Sequence, residues 1–101
     1  MDLEKMLSSS CRRRIVRTLL IAGRTNVMDL VRKVNSTYNQ VNSNLHILQD
    51  EGIVFDQHFG RMPVIRLNKE HPKTKALLEA LQMLENSKRK LKQQKATASF
   101  H

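Results

Sequence analysis

The sequence predicts a mainly helical fold with a small β-hairpin and a long C-terminal helix. Apolar residues recur at helical spacing in three early segments, 10–22, 27–34 and 38–51. A glycine follows the third segment, and two short runs of strand-forming residues come next. A leucine repeat after residue 72 predicts the long helix.

Polar residues mark the ends of the first helices. Residues 2–7 can form a short helical turn, and the three serines that follow offer N-caps for a helix from Ser10 to Ala22. Gly23 ends that helix. Asn26 can cap the second helix, Val27 to Val34, before a turn at Asn35 and Ser36.

The third helix and the hairpin form the most informative segment, from Asn35 to Leu67. Thr37 can cap the helix, with Gln40 three residues later as in a capping box. Gly52 ends it, because glycine adopts the left-handed conformation cheaply. Strands are predicted at 53–55 and 64–67, with a tip at 58–61 and Pro63 at an edge or bulge.

The last helix carries leucines at alternating four- and three-residue steps, which is the pattern of a coiled coil. The predicted dimerisation residues are Leu77, Leu81, Leu84 and Leu91. The alternative is a helix packed on its own domain, with Leu78 inward. The predicted organisation is a domain at 1–70, a dimerisation helix at 71–95 and a disordered tail at 96–101.

Charge points to a polyanionic partner. The chain has 18 Lys+Arg against 9 Asp+Glu, a net charge of +9, and its pI is about 10.3. DNA, RNA and membrane surfaces all fit, as does a basic surface that is merely solvated. Because no signal peptide or membrane-spanning stretch is apparent, we expect a cytoplasmic, nucleoid-associated protein without a membrane partner.

The helix, glycine and strand pattern resembles the winged helix-turn-helix fold, and within it the ArsR-like group of small prokaryotic regulators. The resemblance covers about residues 10–68. The matching segments are Arg14-Ile15-Val16 with Leu19-Leu20, Val27 to Val31, Val41 to Leu45 with Leu48, Gly52-Ile53-Val54, and Ile65-Arg66-Leu67. It implies a sequence-specific transcriptional regulator that binds double-stranded DNA as a homodimer.

In a helix-turn-helix the second helix of the motif lies in the DNA major groove. Helix 38–51 would therefore be the recognition helix, with the wing at 53–68 on the DNA backbone or minor groove. Turning Val41 and Leu45 inward turns Asn39, Ser43 and His46 outward. The predicted DNA-binding residues are Thr37, Tyr38, Asn39, Gln40, Asn42, Ser43, His46 and Arg61.

Catalysis and metal binding are not expected, and no cofactor is predicted. The four histidines do not lie at ligand spacing, and the single cysteine, Cys11, excludes a zinc site of several thiolates. Metal-sensing members of the resembled group carry cysteines in the second helix, where this chain has Val27, Met28 and Asp29. The sequence names no small-molecule effector.

Two alternative functions stay open. A nucleoid-type architectural protein would coat DNA with little specificity, and a winged helix can also serve as a protein-interaction module. The Arg12–Arg14 cluster likewise has two interpretations, nucleic-acid contact or ion pairing with Asp2, Glu4 or a partner subunit. The dimer could use the first helix, the last helix or both.

Overall fold

The computed structural model describes residues 3–60 and 62–98, and it describes their side chains except at 58, 59, 62 and 88–98. Within these ranges, five helices and three strands follow one another. They are α1 (Leu3–Ser8), α2 (Ser10–Ala22), β1 (Arg24–Thr25), α3 (Val27–Val34), α4 (Tyr38–Asp50), β2 (Val54–Phe59), β3 (Met62–Leu67) and α5 (Pro72–Ala98).

Polar caps set the starts of the early helices, which confirms the predicted bounds. Ser9 accepts a hydrogen bond from the Arg12 N–H at the start of α2, and Asn26 accepts one from the Asp29 N–H at the start of α3. Asn35 ends α3 in the left-handed conformation, with φ of 57°. An asparagine tolerates this conformation better than most residues, so the chain can turn sharply into α4.

The β-sheet has three strands rather than the predicted two. β1 pairs antiparallel with β3, and the strand order is β1-β3-β2. A two-residue strand carries too little pattern to be recognised in the sequence. The hairpin strands are also longer than predicted, since residues 58 and 59 belong to β2 and pair with Pro63 and Met62.

Pro63 lies in the central strand and not on an edge strand. Its partner across the hairpin is His58. β1 reaches only Arg66 and Ile65 of β3, so β3 has a neighbour on one side only at Pro63. On the side of β3 that faces β1, no strand is present at Pro63 to need a hydrogen bond, so the missing proline N–H is tolerated there.

One hydrophobic core joins all five helices to the inner face of the sheet. Ile15 and Leu19 of α2, Leu30 of α3 and Leu48 of α4 are completely buried. The remaining buried apolar residues of the core are Met6, Val16, Val34, Val41, Leu45, Ile53, Val54, Ile65, Leu67, Leu77 and Leu81. The core is thus built from Leu, Ile and Val with one Met.

The first half of α5 belongs to this core, which corrects the predicted coiled-coil seam. Leu77 is 2% exposed and Leu81 5% exposed, and Leu78 packs beside them. Leucines buried in their own domain cannot also face a partner helix. Leu84 is half-buried, and the side chain of Leu91 lies outside the described residues.

The other predicted bounds of this segment also change. Because the start of α5 shares the core, residue 71 does not separate it from the preceding domain. The helix continues to Ala98, whereas a disordered tail was expected from residue 96. Residues 99–101 of that tail lie outside the described residues.

Replacing Leu77 with Ala should lower the free energy of unfolding by about 2–5 kcal/mol, because it leaves a cavity in the core. The matched control is Met28→Ala on α3, where the side chain is 58% exposed, with a change within about 0.5 kcal/mol. Urea unfolding at one fixed protein concentration measures both. Equal losses would contradict the placement of Leu77 in the core.

Candidate nucleic-acid interface

The apolar stripe of α4 fixes the orientation of the helix. Val41, Leu45 and Leu48 are 0%, 3% and 0% exposed, and α4 packs on both α2 and α3. Since these residues recur at four- and three-residue steps, they occupy one side of the helix. The opposite side of α4 must then face solvent.

The predicted DNA-binding residues of α4 lie on that solvent side. Thr37, Tyr38, Asn39, Gln40, Ser43 and His46 are exposed, and Asn42 is half-buried. Arg61 lies outside the described residues. We call the set Asn39, Gln40, Ser43 and His46 the outer face of α4.

The electrostatics of the outer face suit an anionic partner. No acidic residue occurs on α4 before Asp50, at its last position. The N-terminus of a helix carries partial positive charge and free N–H groups. The leading half of α4 can therefore approach a phosphate without electrostatic repulsion from its own side chains.

The capping box predicted at the start of α4 is only half formed. The Thr37 hydroxyl accepts a hydrogen bond from the Gln40 N–H at 3.2 Å, as predicted. The Gln40 side chain accepts a hydrogen bond from the Ser36 hydroxyl in the preceding turn. Gln40 thus links the turn to the first turn of the helix.

Arg12 holds α4 against α2, a contact that the sequence did not reveal. Its Nε donates to the Asn44 side-chain oxygen at 3.1 Å, and the Asn44 amide donates to the Gln40 carbonyl at 2.8 Å. Asn44 is therefore engaged inside the domain. Arg13 donates to the Leu7 carbonyl and Arg14 to the Val34 carbonyl, so all three arginines bond to neighbouring elements.

The C-terminal end of α4 is tied to both the hairpin and α5. The Gln49 side chain donates to Asp56 of β2 at 2.8 Å, and Lys73 of α5 forms an ion pair with Glu51 at 3.0 Å. Gly52, at φ of 79°, ends the segment as predicted. A Cβ there would lie 3.1 Å from the His71 ring, which leaves little room for any other residue.

Other basic residues near α4 differ in their availability. Arg32 is paired with Asp29 at 2.7 Å on the same helix. Lys33, near the end of α3, is exposed. Arg66 is exposed on β3 and donates to Gln57 across the hairpin at 3.2 Å.

Among the described residues, neither a metal-ion cluster nor a membrane-spanning helix is found. No group of three or more His, Cys, Asp or Glu side chains lies close enough together to hold a metal ion. Within the same ranges, no helix has the length and apolarity that crossing a bilayer requires.

The fold is similar to the folds of several transcriptional regulators of known structure. No family model and no curated protein matches the sequence. The antimony-specific transcriptional repressor AntR is 25% identical, with a TM-score of 0.66 over 86% of this chain and 78% of that one. A possible transcriptional regulator for arsenical resistance is 27% identical, with a TM-score of 0.61 over 80% of each chain.

A third structure agrees in fold. The transcriptional repressor BigR from Xylella fastidiosa is 24% identical, with a TM-score of 0.70 over 85% of this chain and 82% of that one. The fold is the winged helix of such regulators, as the sequence predicted, with α3 and α4 as its helix-turn-helix and β2–β3 as its wing.

The Glu51–Lys73 ion pair should make stability depend on acid pH. The hydrogen bond from Lys73 lowers the pKa of Glu51 below its ordinary 4.5. A lowered folded-state pKa adds stability above pH 4.5, and this is lost as the pH falls through the folded-state value. We expect wild type to melt above Glu51→Gln near neutral pH, with the difference shrinking below pH 4.5.

Circular-dichroism melting curves from about pH 7 to about pH 3 measure this difference. Glu79→Gln, at an exposed position of α5, is the matched removal of a carboxylate. A difference in melting temperature between wild type and Glu51→Gln that stays constant over the whole pH range would contradict the lowered pKa of Glu51.

Proposed function

We propose that this protein is a sequence-specific DNA-binding transcriptional regulator that places α4 in the major groove. The observation that carries the proposal is the outer face of α4, which is exposed, polar and free of acid up to Asp50. A solvated helix face ordinarily carries Lys and Glu, whereas Asn and Gln can pair with the adenine edge through two hydrogen bonds.

Each residue has a role in this proposal. Asn39, Ser43 and His46 contact base edges, with Gln40 and Asn42 flanking them. Thr37 and Tyr38, at the positive end of α4, contact phosphate. The wing lies on the backbone or minor groove, where Arg61 is the predicted contact residue.

Charge and relatives support the proposal. The net charge of +9 favours binding to a polyanion. The two related structures at 25% and 27% identity are described as a transcriptional repressor and a possible transcriptional regulator. Together with the sequence segments quoted above, they support membership of the ArsR-like group, and repression as the outcome of DNA binding.

Replacing Asn39 with Ala should lower the free-energy difference between binding to the selected site and binding to random DNA by about 1–3 kcal/mol, the value of a bidentate contact. Replacing Ser43 with Ala should lower this difference by less, because only a hydroxyl contact is lost. Asn86→Ala, at an exposed position of α5, is the matched control and should bind like wild type. The site comes from selection on random duplexes at about 150 mM salt, and affinities from fluorescence anisotropy.

Three results of the selection are informative. An enriched two-fold site supports a specific regulator. Binding without enrichment would favour the architectural alternative, and failure to bind any duplex would favour a protein-interaction module.

We further propose a homodimer built on the exposed apolar residues at the end of α2 and on α5. Ile21 is 81% exposed, Met83 70% and Leu20 43%. An ion pair between Arg17 and Glu85 brings these parts of α2 and α5 together. Leu84 extends the proposed surface along α5, and Leu91 stays a predicted dimerisation residue, while Leu77 and Leu81 are left in the core. Two recognition helices would then meet half-sites about one DNA turn apart.

Charging this surface should separate the subunits. The double variant Ile21→Glu, Met83→Glu is expected to sediment as a monomer at concentrations where wild type is a dimer, because buried, unpaired carboxylates oppose association. Met28→Glu, at a 58% exposed methionine on α3, is the control and should remain dimeric. Unchanged sedimentation of the double variant would move the interface elsewhere.

A further inference from the structure

A groove between α2 and α3 is lined by basic side chains that the proposed DNA interface does not use. Its volume is about 400 Å³. The lining residues are Arg14, Arg17, Thr18, Lys33, Val34 and Asn35. We call it the α2–α3 groove. None of its lining residues is acidic.

Helix geometry assembles one wall of the groove. Arg14, Arg17 and Thr18 stand three and four residues apart, so they share one side of α2. The other wall is the end of α3, and the Arg14 guanidinium approaches the Val34 carbonyl at 3.5 Å across the groove. Both walls belong to the folded core, since Val16 and Val34 are each 1% exposed.

The charge in the groove is only partly compensated. Arg17 pairs with Glu85 of α5, which does not line the groove. Arg14 and Lys33 are exposed, and Arg14 bonds to a neutral carbonyl. An arginine has five N–H donors in a planar fork that matches phosphate, and lysine adds a point charge. The Thr18 hydroxyl and the Asn35 amide supply further neutral donors.

A purely structural role explains only part of this set. Cations near a helix C-terminus favour the helix dipole, which accounts for Lys33 and for the contact of Arg14 with Val34. The ion pair with Glu85 accounts for Arg17. Neither role explains why all three cations line a single groove together with Thr18. Three cations converging on one groove without a lining carboxylate is the arrangement expected of an anion site.

We propose that the α2–α3 groove binds a phosphate group. Two sources share this chemistry, a small phosphorylated molecule and the DNA backbone. Asn35 lies two residues before Thr37, so the groove adjoins the start of α4 and either source could reach it. If the ligand is a small phosphorylated molecule, the inference is independent of DNA binding. If the phosphate belongs to DNA, the inference rests on the proposed function.

The test compares two neighbouring cations of α3. Lys33→Ala removes a charge from the groove, and Arg32→Ala removes one from a residue that is paired with Asp29 and does not line the groove. Arg14→Gln is a second groove variant. Titration calorimetry with inorganic pyrophosphate, at constant ionic strength and without DNA, forms the first arm. The salt dependence of binding to a random-sequence duplex forms the second.

If the ligand is a free phosphate compound, Lys33→Ala and Arg14→Gln weaken pyrophosphate binding about tenfold or more, and Arg32→Ala leaves it unchanged. If the phosphate belongs to DNA, pyrophosphate does not bind, and Lys33→Ala lowers the slope of log affinity against log salt by about one relative to Arg32→Ala. Both results support the groove as a phosphate site.

Equal behaviour of Lys33→Ala and Arg32→Ala in both arms would overturn the proposal. The proposal would also be overturned if the groove variants lost free energy of unfolding but kept their affinity for phosphate. That result would show that the groove residues have a structural role alone. The failures of the two proposals are separable. If the protein binds pyrophosphate but not DNA, the phosphate site is supported and the proposed function is not. If the protein binds DNA and Lys33→Ala behaves like Arg32→Ala, the proposed function is supported and the phosphate site is not.

Discussion

The burial of one stripe of α4 is the constraint on which the rest of the structure depends. Val41, Leu45 and Leu48 are almost completely removed from solvent. Each such side chain contributes about 1.5–3 kcal/mol, against about 0.5–1.5 kcal/mol for a typical hydrogen bond. Rotating α4 by one residue, about 100°, would expose the stripe. The core therefore decides which side chains face outward, and the outer face is its geometric complement.

Polar contacts at the middle and at the C-terminal end of α4 then limit the remaining freedom of the helix. Asn44 accepts a hydrogen bond from Arg12 of α2, while Glu51 and Gln49 bond to α5 and β2. These bonds are individually weak, but they join α4 to three different elements. A recognition surface benefits from such support, because contacts to base edges need a helix held in one orientation. The same contacts link α4 to the helix that carries the proposed dimer surface.

The placement of the basic residues matters more than their number. The net charge of +9 implies an anionic partner but names no surface. Within the described part of the chain, Arg12 and Arg13 bond to neighbouring elements, and Arg17 and Arg32 pair with acids. Lys33 is exposed beside the α2–α3 groove. Polar, uncharged residues dominate the outer face of α4, which suits selective contact more than indiscriminate attraction.

The sequence by itself determined the elements whose signals are local. Helical spacing, the caps Asn26 and Thr37, and Gly52 predicted α2, α3, α4 and the outer face, because each signal lies within a few residues of the structure that it sets. The tertiary structure alone decided β1, the bond between Arg12 and Asn44, and the burial of Leu77. These depend on residues far apart in the chain. A leucine repeat has the same period whether it meets a partner helix or its own domain, so only packing could distinguish the two.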